Sequence, residues 1–491
     1  MGRRVSTPQG PNGPDQSTDP GPDPQPRPRP PATPGATLTI GPLLARTARH
    51  FFPDLRDWIE QVPDPRFAPR VVYDKHFLVW FGLMLFVCKL GSRRQANFHL
   101  NTDGPQVLPN LNRLAGTAQQ SCPVDKTLEY FWRRVGSAPL VELRKQAVNR
   151  LVRMKALDAA RLQGRAVILI DGTGYLVFHS EHCDHCLTQQ HGERAAYLHQ
   201  VLEAKLLGPA GTVFSIGTEF IDNRDTRDVP AGAGAERVKQ DCELKALRRL
   251  LGPLRQRHPQ LAICLSGDSL FACGEGLQVA RDFRCAYVYV FKPGRTPALW
   301  QDFQGLLSLC PDQRVEGTTP QGARQVYRWV NGLPYTDSDG RKWTLNAIHC
   351  QETSKDGKET EWAWVTGLEV NRRTVVEVAT KGGRERWRTE NEGFNTQKNS
   401  ELNLEHAYSH RCWEVYYYLL QLAHMLLQLL EKGSLLRDLA KQQGKATAVA
   451  LFGSLKGMAR RLLDSLRYGC WPDDAFAVDA AGEIQIRLNS S

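Results

Sequence analysis

The chain of 491 residues is 41% hydrophobic, long enough for two or three domains and a large core. Lys and Arg number 63 against 52 Asp and Glu, a net charge of +11, which favours a polyanionic partner, nucleic acid before membrane. The 12 cysteines are scattered and several fall inside apolar runs, which speaks against a secreted disulfide scaffold and for reduced thiols in a cytoplasmic, nucleoid-associated protein.

Residues 1–37 hold 11 of the 30 prolines and almost nothing apolar, so this stretch reads as a disordered Pro-rich tail. Residues 38–157 then follow a helical period, with Leu55, Trp58, Ile59 and Val62 at three- and four-residue spacing, the apolar run Phe77 to Cys88, and Leu128 to Met154. Basic residues gather late in this part, Arg133, Arg134, Arg144, Lys145, Arg150, Arg153 and Lys155. The expectation is a helical, DNA-binding domain in which Arg150 and Arg153 contact the phosphate backbone. A helical lid with a solvated basic face is the alternative. Neither Phe77 to Cys88 nor Val415 to Leu430, which carries Gln421, His424 and Gln428, supplies the roughly 20 clean apolar residues of a membrane span. Both read as buried helices, and no membrane partner is expected.

From Ala166 the signals alternate. Ala166 to Ile170 is a short aliphatic run closed by Asp171-Gly172-Thr173-Gly174, the pattern of a strand buried on both faces. Leu261 to Leu265 ends the same way, at Ser266-Gly267-Asp268. A carboxylate at the end of a buried strand is costly unless it meets a cation or a donor, and two of them suggest one metal site. Between and after these strands come Tyr175 to Phe178, Tyr197 to Leu207, Thr212 to Ile221, a helix at Ala233 to Arg257, a helix at Glu275 to Phe283, the strand Ala286 to Phe291 and a helix at Leu299 to Leu309. Three strands, helix, strand, helix, strand predict a mixed α/β sheet with an antiparallel start, the ribonuclease-H-like layout. Residues 160–310 plus 384–435 are assigned to this core.

Residues 311–383 are a β-rich insertion, short alternating segments parted by Asn331-Gly332, Asp339-Gly340 and Asp356-Gly357, the hairpin signal. Helix resumes from Arg384 through Glu431, where Tyr416-Tyr417-Tyr418 reads as helix core, and residues 436–491 form a C-terminal helical tail with an amphipathic helix from Thr447 to Arg467. One further cluster, His179 to Cys186 with His191 and His199 downstream, has zinc-like spacing. Cys183, Cys186 and His182 are its candidate ligands, beside the alternatives of a plain loop and a redox pair.

After the insertion stand Arg386, Glu390 and Lys398 in the stretch Arg384 to Asn399. With Asp171 and Asp268, this resembles the DDE transposases of bacterial insertion sequences, in the group with a β-insertion and a Tyr-x2-Arg-x3-Glu-x6-Lys signature. Gly383 stands where the signature has Tyr, and Lys398 follows one residue later than the pattern asks. The stretch His182-Cys183-x2-Cys186, Glu219-Phe220-Ile221 and Lys239-Gln240-Asp241-Cys242-Glu243 are also similar to a branch of that family. The resemblance implies a DNA transposase that cuts at transposon ends and transfers the strand into target DNA. Its catalytic and metal-holding residues are then Asp171, Asp268 and Glu390, with Mg²⁺ or Mn²⁺, while Arg386 and Lys398 contact DNA. Terminal inverted repeats and target DNA are the implied partners, with a homodimer formed on DNA. A catalytically inactive DNA-binding relative, repressor or architectural factor, and a metal-dependent nuclease of the same fold remain the alternatives.

Overall fold

The computed structural model describes residues 40–476 and 485–488, apart from 103, 179, 182, 184–185, 192–193, 224–240 and 400–401. The Pro-rich tail, His182 and the first part of the helix expected at Ala233 to Arg257 therefore lie outside the described residues.

Among the described residues seven α-helices come first: α1 (Ile40–Phe51), α2 (Leu55–Glu60), α3 (Lys75–Val87), α4 (Arg93–Asn101), α5 (Val107–Ala115), α6 (Asp125–Val135) and α7 (Ala138–Arg153). The segment expected as one helical run from Leu128 breaks at Gly136, whose φ of 75° ends α6 because that conformation suits a residue without a Cβ. The apolar run forms α3, begun by Asp74 accepting from the His76 amide at 2.7 Å, and every residue from His76 to Val87 is buried. Helix α3 lies against α12 (Trp413–Lys432), the second apolar run, with Gly82 facing Leu419 and Trp132. No helix among the described residues is long and apolar enough to cross a membrane.

The centre is a ten-stranded mixed sheet. Its strands are β1 (Ala166–Phe178), β2 (Leu187–His191), β3 (Arg194–Leu207), β4 (Val213–Ile221), β5 (Ile263–Gly267), β6 (Ala286–Val290), β7 (Arg314–Thr318), β8 (Arg324–Thr336), β9 (Lys342–Thr353) and β10 (Glu359–Thr366). The order runs β2-β3-β1-β5-β6-β10-β9-β8-β7, with β4 also paired to β3. Strands β1, β5 and β6 are parallel, while β3 and β4 are antiparallel to their neighbours. Tyr175 to Phe178 is no separate strand: it continues β1 past a bulge between Gly174 and Leu176. The β-rich segment forms no sheet of its own, because β10 pairs with β6 and carries β9, β8 and β7 outward on the same sheet.

Strand β1 is buried on both faces, and its side chains alternate between two cores. Ile168 and Ile170 join the large core with α8 (Glu243–Arg257), α7 and α12. Val167 and Leu169 join a second core with Cys264, Val288, Trp364, Val375 and Val378. That second face is covered by residues 375–399, a helical stretch that passes through π-type and 3₁₀ turns. The expected continuous helix to Glu431 is thus interrupted before α12. Helices α9 (Gly274–Asp282) and α10 (Pro297–Leu309) follow β5 and β6. The last predicted helix is also divided, at Gly453 with φ 75°, into Ala448–Phe452 and Leu455–Tyr468. Its residues return to the N-terminal helices, where the buried Trp471 ring lies where a Cβ on Gly41 would go, at 2.3 Å.

Candidate active site

In the β1–β5 register Leu169 lies beside Ser266. Two residues further on, past the last β1–β5 pair, Asp171 lies inside β1, which continues to Phe178, and Asp268 follows the end of β5; strands in one sheet are about 4.8 Å apart. Both continue the side-chain series that faces the 375–399 stretch, Val167 and Leu169 on one strand and Cys264 on the other. Asp171 is reached from that stretch by Arg386, whose Nη1 donates to Oδ2 at 3.3 Å. Asp268 accepts from the Leu270 amide at 2.8 Å, which closes the turn after β5.

An open cavity of about 800 Å³ lies before these two carboxylates, and Glu390 lines it together with Arg386, Lys398, Lys292 and Trp387. The three acids expected from sequence therefore meet, and the two basic residues expected beside them share the cavity wall. Lys398 is also paired to Glu405 at 2.8 Å. Glu390 belongs to the π-type turn Thr389–Asn395, wider than an α-helix and frequent at functional sites. Glu392 points elsewhere, 3.9 Å from Arg388.

Burial pushes the half-buried Asp171 carboxyl up to about 6, against the opposing pull of Arg386, with the charges of Asp268 and Glu390 adding to the rise. Such a group takes up either a proton or a cation near neutrality. An all-oxygen set of carboxylates is the donor chemistry of Mg²⁺ or Mn²⁺, which prefer hard ligands and keep waters. The residues fit that ion.

A fourth acid escapes a reading of the sequence. Glu243, the first residue of α8, comes from the opposite face of the sheet to the end of β1: a Cβ on Gly172 would fall 2.1 Å from its Oε1. Burial first, then the charges of Asp171 and Asp268, push its carboxyl up to about 7. Its signal is the run Asp241-Cys242-Glu243, but the meaning of that run depends on where α8 starts. That start is pinned by Arg249, whose guanidinium meets Glu219 of β4 and Asp241, each at 2.6 Å. Glu219 and Asp241 thus hold an element in place.

The basic cluster of α7 lies elsewhere. Arg144 is 2% exposed and bonds to Ser215 and Thr218 of β4, and Lys145 pairs with Glu142 at 3.0 Å. Arg150 and Arg153 sit in the last turn of α7, where neighbouring Val152 and Leu157 meet Ala166 and Leu261. Those residues mark the start of β1 and the approach to β5, the sheet end opposite Asp171. The cavity and the α7 arginines are not brought together. Tyr416, Tyr417 and Tyr418 are buried in α12, as core.

No protein-family model matches this sequence, and no curated protein aligns with it. Among solved structures, the cryo-EM structure of a piggyBac transposase synaptic complex with hairpin DNA is similar over 88% of this chain and 81% of that one, at 9% identity and a TM-score of 0.37.

Proposed function

We propose that the protein is a DNA transposase of the DDE type, cutting phosphodiester bonds at the inverted repeats of its element and joining the freed 3′ end to target DNA. The observation that carries this reading is the convergence of Asp171 and Asp268, on adjacent parallel strands just past their last pair, with Glu390 across an open cavity. The strand order β4-β3-β1-β5-β6, antiparallel then parallel, supports the ribonuclease-H-like assignment of the core.

Asp171, Asp268 and Glu390 would hold two Mg²⁺ or Mn²⁺ ions, with Glu243 at the edge of the set. When bound, such a pair activates the attacking oxygen and stabilises the leaving one in an in-line displacement at phosphorus. The chain's own contribution is to orient the DNA. Arg386 keeps Asp171 aimed into the cavity, and the exposed Lys292 and the half-buried Lys398 offer phosphate contacts on its wall. Trp387 presents a ring that is 41% exposed, and Arg384 lies over the Trp362 ring at 3.4 Å. Aromatic faces beside guanidinium groups suit unpaired bases. A homodimer on DNA would bring two such cavities to two ends.

The test uses a labelled duplex carrying the repeats that flank the reading frame, with Mg²⁺ and a target plasmid. Nicking followed by a joined product supports transposition. Nicking without joining assigns a nuclease, and end binding without nicking assigns an inactive DNA-binding relative.

A further inference from the structure

We infer that Cys183, Cys186 and His199 form a structural zinc site, which clasps the two cysteines onto β3. Spacing alone favours His182 as the histidine ligand. Among the described residues the fold brings His199, because β3 pairs with β1 so that His199 lies opposite Leu176, within reach of Cys183 and Cys186. The Cys183 and Cys186 sulfurs are 3.7 Å apart, and His199 Nε2 is 3.3 Å from the first and 3.6 Å from the second. A tetrahedral ion with Zn–S of about 2.3 Å and Zn–N of about 2.0–2.1 Å has S···S edges of about 3.8 Å and S···N edges of about 3.6 Å. The three donor atoms thus stand at three corners of a zinc tetrahedron, with the fourth corner left to a further ligand or water. A sulfur separation of 3.7 Å is far beyond the roughly 2.05 Å of a disulfide, and an aligned thiol-thiol-imidazole trio is soft-donor chemistry suited to zinc.

The surroundings suit a structural ion. Cys186 is 2% and His199 4% exposed, and the His199 ring packs on Trp413 at 5.3 Å. Asn223 donates to the Cys186 carbonyl at 3.0 Å and accepts from the Asp241 amide at 3.3 Å. The loop is thereby tied to the residues that begin α8, two positions before Glu243. Such outer contacts orient metal ligands, and here they run from the clasp toward the acid set. This inference does not rest on the transposase reading, since metal content is its readout.

Full-length protein purified without chelator should carry about one zinc per chain by elemental analysis. Cobalt(II) in its place should give thiolate charge-transfer bands and the intense visible bands of a tetrahedral site. The double variant Cys183→Ser, Cys186→Ser should lose the zinc, and His199→Ala should bind it at least tenfold more weakly in competition with a chromophoric chelator. If these variants do not fold, the wild-type protein still decides: extracting zinc should expose about two additional reactive thiols per ion removed. Wild-type protein free of zinc that gives no thiolate band with cobalt overturns the site. So does a folded His199→Ala that keeps the wild-type affinity and cobalt spectrum.

Discussion

The acid cavity and the basic cluster ahead of β1 use charge differently. Where β1 and β5 part, acids and bases line an open cavity, and Asp171 and Glu243 are pushed upward by burial and by other acids. In the densest basic cluster of the sequence, two members are engaged by the protein itself: Arg144 holds β4 and Lys145 holds Glu142. Charge density in a sequence therefore does not locate the site. What distinguishes the cavity is a set of acids with raised carboxyls beside open space, an arrangement that clusters at functional sites.

The largest expected effect follows from the acids. Asp171→Asn, Asp268→Asn and Glu390→Gln each preserve shape and remove an anionic ligand, so nicking in Mg²⁺ should fall by at least about a thousandfold, while end binding persists in a mobility-shift assay. Wild-type nicking in any of the three would remove that residue from the site.

Glu243 supplies the next effect, and a pH dependence. Its carboxyl is raised in the folded protein to about 7, and that of Asp171 to about 6. For a raised acid the contribution to stability is fully present below the unfolded value, near 4–4.5, and is lost as pH rises through the folded one. Without divalent ions the contribution of these two acids should therefore fall between about pH 4 and 7, by an amount of order 2–3 kcal/mol, against the opposite slope of the buried His258, whose ring is held down at about 4. Glu243→Gln should flatten this slope in urea melts and lower nicking by about ten- to a hundredfold. An unchanged slope would mean that the Glu243 carboxyl is not raised in the folded protein.

A smaller effect compares the two basic regions directly. Removing Lys292 and Lys398 should reduce the salt slope of end binding by about 0.9 for each phosphate no longer neutralised. Removing Arg150 and Arg153 should reduce it less, since the turn that carries them lies at the far sheet end. The opposite ranking would move the duplex to α7.

Much of this arrangement is legible where local pattern suffices. The aliphatic runs before Asp171 and Asp268 are strands, and the two long apolar runs are buried helices, packed together at Gly82 and Leu419. What depends on pairing between distant segments is not legible. His199 is 13 residues from Cys186 and meets it only through the β1–β3 register. Glu243 becomes a site residue only because α8 begins beside Gly172, and β10 extends the main sheet only because β6 offers it an edge. Gly383, a departure from the signature Tyr, has a local cause in the fold: a Cβ there would fall 2.4 Å from the Trp364 ring, so that position has no room for a larger side chain.

The smallest expected effect is that of Glu392→Gln. An argument from 100° per residue separates Glu390 from Glu392 by about half a turn, but the segment Thr389–Asn395 is a π-type turn, with fewer degrees per residue, so the separation has to come from contacts. Glu390 lines the cavity with Asp171, Asp268, Arg386 and Phe394. Glu392 is turned toward Arg388, 3.9 Å away, and Arg388 already pairs with Glu385. A shared, partly exposed pair of this kind contributes about 0–1 kcal/mol, and its loss leaves Arg388 with its first partner. Glu392→Gln should therefore retain most nicking and shift the melting temperature by no more than a few degrees. If Glu392→Gln abolished nicking while Glu390→Gln did not, the turn would have to be rotated in the DNA-bound protein, exchanging the two acids at the cavity wall.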